Sequence, residues 1–368
     1  MDASTVPDPP MGTLHDEPLS AHTSLELGGP ARWFQVADTV EAVQEASHWA
    51  RTVGTTAAVL GGGTNLVVAD AGVEGLVLKV GLRGMGAAAD NGSVLVTCAA
   101  GEAWDDVVAW AVHNGWAGVE CLAGIPGTVG AVPIQNVGAY GQEVADVIQH
   151  VEAVERSTGE VRRLAAGECG FGYRTSRFRR RSGDYIVTSV TLRLAPGGPP
   201  AIRYAELERR LAARGATPDL VTVREAVLDL RRSKSMVLDD VDPNRRSVGS
   251  FFVNPVMESD DADRVARRAR AMGVIDTLDQ MPRFPTPDGR VKLAAAWLIE
   301  RAGFERGMRA GRVGISSAHT LALVHHGDGT TRELLDLART IRDRVDCRFG
   351  VTLRPEPIFW GFAGQSAL

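Results

Sequence analysis

Four cysteines, Cys98, Cys121, Cys169 and Cys347, are scattered over 368 residues without a C-x-x-C pair or a Cys/His spacing. That excludes the familiar zinc modules and leaves reduced, buried thiols of a cytosolic protein as the reading, with no metal expected. Basic charge is also in short supply, with 40 Lys and Arg against 45 Asp and Glu for a net charge of −5. A chain built mainly to bind nucleic acid or an anionic membrane is therefore not expected. No apolar run approaches the roughly 20 residues that a membrane helix needs. The opening MDASTVPDPPMGTLHDEP has no basic region followed by an apolar core, so residues 1–18 read as a disordered tail rather than a signal peptide. A cytoplasmic catalyst or small-molecule binder remains.

What is present in quantity is glycine, 41 residues of it. Excess glycine points to turns and to backbone that approaches ligands. Residues 38–53, DTVEAVQEASHWARTV, space Val40, Val43, Ala46, Ala50 and Val53 by three and four ahead of Gly54, which predicts an amphipathic helix and its stop. TTAAVL (55–60) predicts a buried strand running into Gly61-Gly62-Gly63-Thr64-Asn65. Strands are expected at 75–80, 93–100 and 184–196, a helix at 101–116, and a hairpin around Ser157-Thr158-Gly159. APGGPP, after the last strand, reads as a domain boundary. Beyond it, REAVLDLRRSKSM, DDADRVARRARAMGV and VKLAAAWLIERAG have helical patterns, and Thr330 with Glu333 forms a capping box ahead of LLDLARTIRDRV. A glycine-rich strand region around GISSAHTLALVHH and a closing strand in GVTLRPEPIFWG complete an α+β chain.

Two glycine loops stand out. GGGTN lacks the Gly-Lys-Ser/Thr of a P-loop, and GIPGTVG is not G-x-G-x-x-G at a strand-helix turn. Both nevertheless offer uncharged, exposed amide N–H groups, which suit a pyrophosphate held in a backbone nest; tight turns are the plainer alternative. The eight histidines are scattered and none lies in either loop; His319 is the most site-like and is given no role.

In chain order the sequence carries GGGTN, GIPGTVGAVPIQNVGAYGQEV, GYRTSRF, RYAEL, RRSK, GSFFVNP and LRPEPIFWG. Together, over roughly residues 20–365, these motifs resemble the UDP-N-acetylenolpyruvoylglucosamine reductase (UDP-N-acetylmuramate dehydrogenase) family, FAD enzymes of peptidoglycan synthesis. The resemblance implies a vanillyl-alcohol-oxidase-like FAD-binding fold of two α/β subdomains at 19–198, an α+β substrate domain at 203–345, and a C-terminal strand segment at 346–368. It implies noncovalent FAD that NADPH reduces and whose N5 passes hydride to the enolpyruvyl methylene carbon of UDP-N-acetylglucosamine enolpyruvate. It also implies a monomer with a small-molecule UDP-sugar as its partner.

Residue by residue, the family pattern puts Arg174 and Glu356 at the substrate carboxylate and makes Ser250 the proton donor, chemistry that an enolate-like intermediate requires. FAD falls to Gly61, Gly62, Gly63, Thr64 and Asn65, to Gly124, Ile125, Pro126, Gly127 and Thr128, and to Gln135, Asn136, Gly138, Ala139 and Tyr140. Tyr204, Lys234 and Asn254 fall to the UDP-sugar. Taken without their motifs, Arg174 reads as one of a basic surface run and Ser250 as a strand-end serine. Two departures bear on the diphosphate contacts. SMVLDDV lengthens the stretch after Lys234, and Val253 stands where some members carry lysine. The rival readings are another FAD oxidoreductase of the same fold acting on an alcohol or lactone, with Cys121 nearest for covalent attachment, and a nucleotide-sensing module without turnover.

Overall fold

The computed structural model of the chain describes residues 7–362 apart from 214, 216–217 and 287, together with 367–368. It divides into two compact units, Met1–Pro18, Pro30–Gly63 and Val73–Leu238 in the first, and Leu19–Gly29, Thr64–Gly72 and Asp239–Leu368 in the second.

The first unit is built on two sheets. In one, Leu14–Pro18 pairs antiparallel with Pro30–Ala37, which lies parallel to Val73–Val80, itself parallel to Ala57–Leu60. The other is antiparallel, in the order Val161–Ala165, Ile148–Glu155, Tyr185–Pro196, Ser93–Ala99, Met85–Asp90. The helix Val40–Thr52 begins where the Thr39 hydroxyl accepts the Ala42 N–H at 3.1 Å and buries Val43, Ala46 and Ala50. Trp104–His113 buries Trp104, Val107, Val108, Ala111 and Val112, the face that the spacing predicts.

Two expectations about boundaries need correcting. The supposed tail is ordered from Leu14 as an edge strand, because its backbone finds a ladder partner in Pro30–Ala37. The Pro/Gly cluster does not separate the units. Helices Ala205–Ala212 and Leu220–Arg232 bury Leu207, Leu211, Val223 and Val227 in the same core as Trp104 and Leu122, so the division falls at Leu238 rather than near 200. An amphipathic helix goes where its apolar face is covered, whatever the composition of the linker before it.

In the second unit, Ser247–Ser250, Ala322–His325, Val313–Ile315 and Arg309–Ala310 form an antiparallel sheet, and Ile358–Trp360 lies parallel to Leu66–Val68. Its core joins Leu25, Leu27 and Val67 to Leu298, Ile299, Leu334, Ile341 and Phe349. The helix Thr331–Phe349 starts in the expected capping box, Glu333 N–H donating to Thr330 Oγ1 at 3.2 Å and Thr330 N–H to Glu333 Oε2 at 2.9 Å. Asp70 adds a second cap, accepting the N–H groups of Thr331 at 2.8 Å and Arg332 at 3.0 Å. VKLAAAWLIERAG is not wholly helical. Val291–Leu293 is a strand and the helix runs Ala295–Arg301, since Leu293 N–H donates to Pro255 O at 2.9 Å. Among the described residues no helix is long and apolar enough to cross a membrane, and no group of His, Cys, Asp and Glu could hold a metal ion.

Candidate active site

The two glycine loops of the first unit face each other. A Cβ on Gly61 would sit 2.6 Å from Thr128 Oγ1, and one on Gly62 would sit 2.9 Å from Gly127 Cα. Glycine is what lets these backbones approach. Gly124 and Gly127 have φ of 67° and 121°, and Gly124 N–H is drawn to Asp105 Oδ1 at 2.7 Å. Gly127 O accepts the Trp104 N–H at 3.0 Å, which seats the loop on a helix start. The Thr128 hydroxyl is buried with no partner among the described residues, and so, in the second unit, is Asn65 Nδ2. An unsatisfied buried polar atom is costly, so the Thr128 hydroxyl points to a ligand that completes it.

Residues 133–144 fold into something the sequence does not announce. Gly138–Ala139 and Gln142–Glu143 form a tiny hairpin whose two turn residues, Tyr140 and Gly141, have φ of 48° and 85°. Asn136, at φ 44°, is a hub rather than a ligand-facing amide. Its side chain is buried and satisfied inside the protein, Nδ2 donating to Glu143 Oε2 at 2.7 Å and Gly172 O at 3.1 Å, and Oδ1 accepting Ala145 N–H at 3.1 Å. Both N–H groups of the Asn136 amide are thus committed inside the protein, where the motif pattern expects the residue at the flavin.

Gly172 belongs to the tight turn that carries Arg174, closed by mutual backbone hydrogen bonds with Thr175 at 3.0 and 3.1 Å. On its other side Ser176, fully buried, donates its hydroxyl to Ile134 O at 2.7 Å. The turn is thus fastened twice to the glycine stretch, and Arg174 is held at φ 53°. Backbone strain of this kind persists where the surroundings over-determine it, commonly at functional sites. The neighbouring arginines are engaged differently: Arg177 lies over the Tyr185 ring, Arg180 donates to Gly170 O at 2.9 Å, and Arg181 pairs with Asp184.

Tyr204 and Lys234 share one neighbourhood of the first unit. Lys234 Nζ pairs with Glu206 Oε2 at 2.7 Å, and Glu206 follows Tyr204 by two residues in the helix Ala205–Ala212. The Tyr204 ring meets Tyr140 edge-on at 5.5 Å, and burial raises both phenols, Tyr140 to about 12. Arg231 adds a positive charge that the motif reading passed over. Burial pushes its guanidinium down to about 10, Tyr140 and Arg174 contribute to its field, and its Nε has no partner among the described residues.

Ser250, Asn254 and Glu356 belong to the second unit. The strand segment at Phe251–Val253 is flanked by Leu321, whose carbonyl accepts Phe251 N–H at 2.7 Å, and by residues 354–356. There Glu356 N–H donates to Phe251 O at 2.9 Å and Val253 N–H to Arg354 O at 3.0 Å, so Ser250 and Glu356 are carried on neighbouring backbones. Gly249, at φ 71°, lies in the irregularity between Ser247 and Ser250, and Ser250 stays in the ladder opposite Ala322. Asn254 Oδ1 accepts Ala295 N–H at 2.9 Å, which spends its oxygen on a helix start. The inserted residues after Lys234 contain the division between the units, and Leu238 and Val241 are exposed there.

A family model described as an FAD binding domain matches residues 32–165, and one described as UDP-N-acetylenolpyruvoylglucosamine reductase, C-terminal domain, matches residues 242–360. The chain is 48% identical over 345 residues to the UDP-N-acetylenolpyruvoylglucosamine reductase of Saccharopolyspora erythraea, covering 92% of this chain and 93% of that one. The chain belongs to the UDP-N-acetylenolpyruvoylglucosamine reductase family. The reductase of Thermobifida fusca is likewise 48% identical over 349 residues, 94% of this chain and 97% of that one. The crystal structure of the family's enzyme from Thermus caldophilus shares the fold, with a TM-score of 0.63 at 24% identity over 95% of this chain and 98% of that chain. Membership makes the chain an oxidoreductase with an FAD-binding domain, and the cradle fits that cofactor: bare amides at Gly61–Gly62 and Gly127–Thr128, one unsatisfied hydroxyl, and no room for a β-carbon.

Proposed function

We propose that the protein reduces UDP-N-acetylglucosamine enolpyruvate to UDP-N-acetylmuramate, with NADPH as reductant, as a cytoplasmic monomer. The observation that carries the reading is the backbone bond from Glu356 to Phe251, which joins two motifs 105 residues apart. The loops at Gly61–Asn65 and Gly124–Thr128 would hold FAD noncovalently, and the bound flavin would supply the hydride that the enolpyruvyl methylene carbon requires. Cys121 supports the noncovalent reading, because burial pushes its thiol up to about 12 and it donates to Ala201 O at 3.0 Å. A thiol so placed is a poor nucleophile.

The chain's own residues do the remaining work. Arg174 offers a planar, permanently charged fork to the substrate carboxylate, where negative charge grows as hydride arrives. Ser250 gives its Oγ proton to the carbon beside that carboxylate. A serine hydroxyl is a weak acid but the developing carbanion is a strong base, and positioned proton transfer contributes about 10²–10⁴-fold. Glu356 assists at the carboxylate, and Phe251 and Phe252, both buried, keep water from the reacting carbon. Tyr204 and Lys234 take the diphosphate, Lys234 exchanging Glu206 for phosphate, and Asn254 offers its amide NH₂ to the sugar.

The test is anaerobic. NADPH should bleach the flavin of wild type and of Ser250→Ala alike, whereas reoxidation by the enolpyruvyl substrate should slow in the variant about 10²-fold or more. Equal loss of both half-reactions would remove Ser250 from the proton-donor role, and protein that takes up no FAD would sink the whole reading.

A further inference from the structure

Glu120 is a fully buried carboxylate to which the reaction assigns nothing. Its oxygens accept three hydrogen bonds, each 2.8 Å long, from Gly118 N–H, Gln142 Nε2 and Ala201 N–H. None of these partners carries a charge. Burying a carboxylate among neutral donors is an expensive way to hold a fold together, since apolar packing would serve stability better. What the arrangement supplies is direction. Glu120 bonds its own turn, the far end of the glycine hairpin and the segment that leads to Tyr204.

The clasp is closed a second time. Gln142, itself buried, accepts Cys121 N–H at 2.8 Å, and the Cys121 thiol donates to Ala201 O at 3.0 Å. The residue Ala201 is therefore gripped at both its N–H and its C=O. Two residues on, Arg203 lies so close to Gly141 that a Cβ there would come within 2.8 Å of its own. Next comes Tyr204, edge-on to Tyr140 at 5.5 Å.

We propose that Glu120 is a positioning residue that seats Tyr204 against Tyr140 and so sets the affinity for the diphosphate end of the UDP-sugar without touching it. The proposal rests on the functional reading above.

The test uses FAD-loaded enzyme and steady-state turnover of UDP-N-acetylglucosamine enolpyruvate in wild type, Glu120→Gln, Tyr204→Ala and the double variant. Glu120→Gln turns one acceptor into a donor facing N–H groups, and loss of one charge-assisted hydrogen bond corresponds to about a tenfold effect. KM for the UDP-sugar should rise by about that factor, with kcat, flavin content and the rate of NADPH bleaching held within about twofold. In the Tyr204→Ala background the same change should leave KM where it is. An equal rise in both backgrounds, or a fall in kcat together with flavin content, would overturn the proposal. If Glu120→Gln yields no folded protein, Cys121→Ala frees Ala201 O alone and must show the same dependence on Tyr204; a Tyr204-independent rise refutes the clasp. Wild-type enzyme that fails to turn the substrate over overturns the functional reading and the proposal with it.

Discussion

Replacing Gly62 by alanine tests the facing loops directly. The new Cβ would lie 2.9 Å from Gly127 Cα, 3.3 Å from Gly127 C and 3.5 Å from Thr128 N. All three are backbone atoms, so no side chain can rotate away. Gly127 is itself tied down, its carbonyl accepting the Trp104 N–H at 3.0 Å. To restore ordinary contact the loops must part by roughly half an ångström, and overpacking of this kind costs about 1–3 kcal/mol. If FAD requires the native spacing, that strain appears as FAD affinity weakened roughly 5- to 100-fold. The assay is titration of deflavinated protein by quenching of FAD fluorescence. Gly86→Ala is the comparison, because nothing lies within 4 Å of its Cβ position and no positive φ is involved. It should bind FAD as wild type does. Wild-type affinity in Gly62→Ala would show that these two loops do not hold the cofactor between their backbones.

Three further outcomes are expected. Asn136→Ala removes the bonds to Glu143 and Gly172 that steady the Arg174 turn, so stability should fall by about 1–3 kcal/mol in a denaturant melt, with substrate turnover falling more than flavin content. Of the four cysteines only Cys347 is exposed, while burial pushes the thiols of Cys98 and Cys121 to about 12 and Cys169 to about 11. A thiol reagent should therefore titrate one group in native protein and four in denaturant. His325 is buried with its pKa lowered by desolvation, and Arg246 opposes its protonation while Glu26 favours it. The unfolded state then binds the extra proton, so stability is full above the ordinary histidine pKa of about 6.5 and declines as pH falls below it. The melting temperature should drop between pH 7.5 and 5.5, and His325→Gln should flatten that slope; an unchanged slope would assign the loss to other groups.

Regular elements were legible because their signals are local. The spacing of Val43, Ala46 and Ala50 predicts the first helix, and Thr330 with Glu333 predicts the start of the last. Errors arose where a distant partner decides. VKL reads as helix by periodicity but becomes strand because its ladder partners, Val256 and Phe284, come from separate stretches. The APGGPP cluster looks like a boundary, yet Ala201 just beyond it is gripped by Glu120, 81 residues earlier. Site residues divide in the same way. Arg174, Ser250 and Glu356 are proposed from their motifs, whereas Asn136 as a hub, Glu206 as the counterion of Lys234, and the burial of Arg231 needed contacts that no spacing encodes. The Tyr140-Gly141 turn could have been suspected from G-A-Y-G-Q, but left-handed tyrosine is uncommon enough that only the structure reveals it.

The second unit is assembled from three separate stretches of chain, and this has a consequence for synthesis. Leu25, Leu27 and Val67 leave the ribosome long before the helices that will cover them, and Asp70 waits some 260 residues for the helix end it caps. During that interval Leu25, Leu27 and Val67 lack the helices that cover them, and apolar segments left uncovered in this way are what chaperones bind. A gene fragment starting at residue 239 would lack the strand that pairs with Ile358–Trp360, part of its core and one of its helix caps. The C-terminal domain is thus separable as a family description but not as a length of DNA.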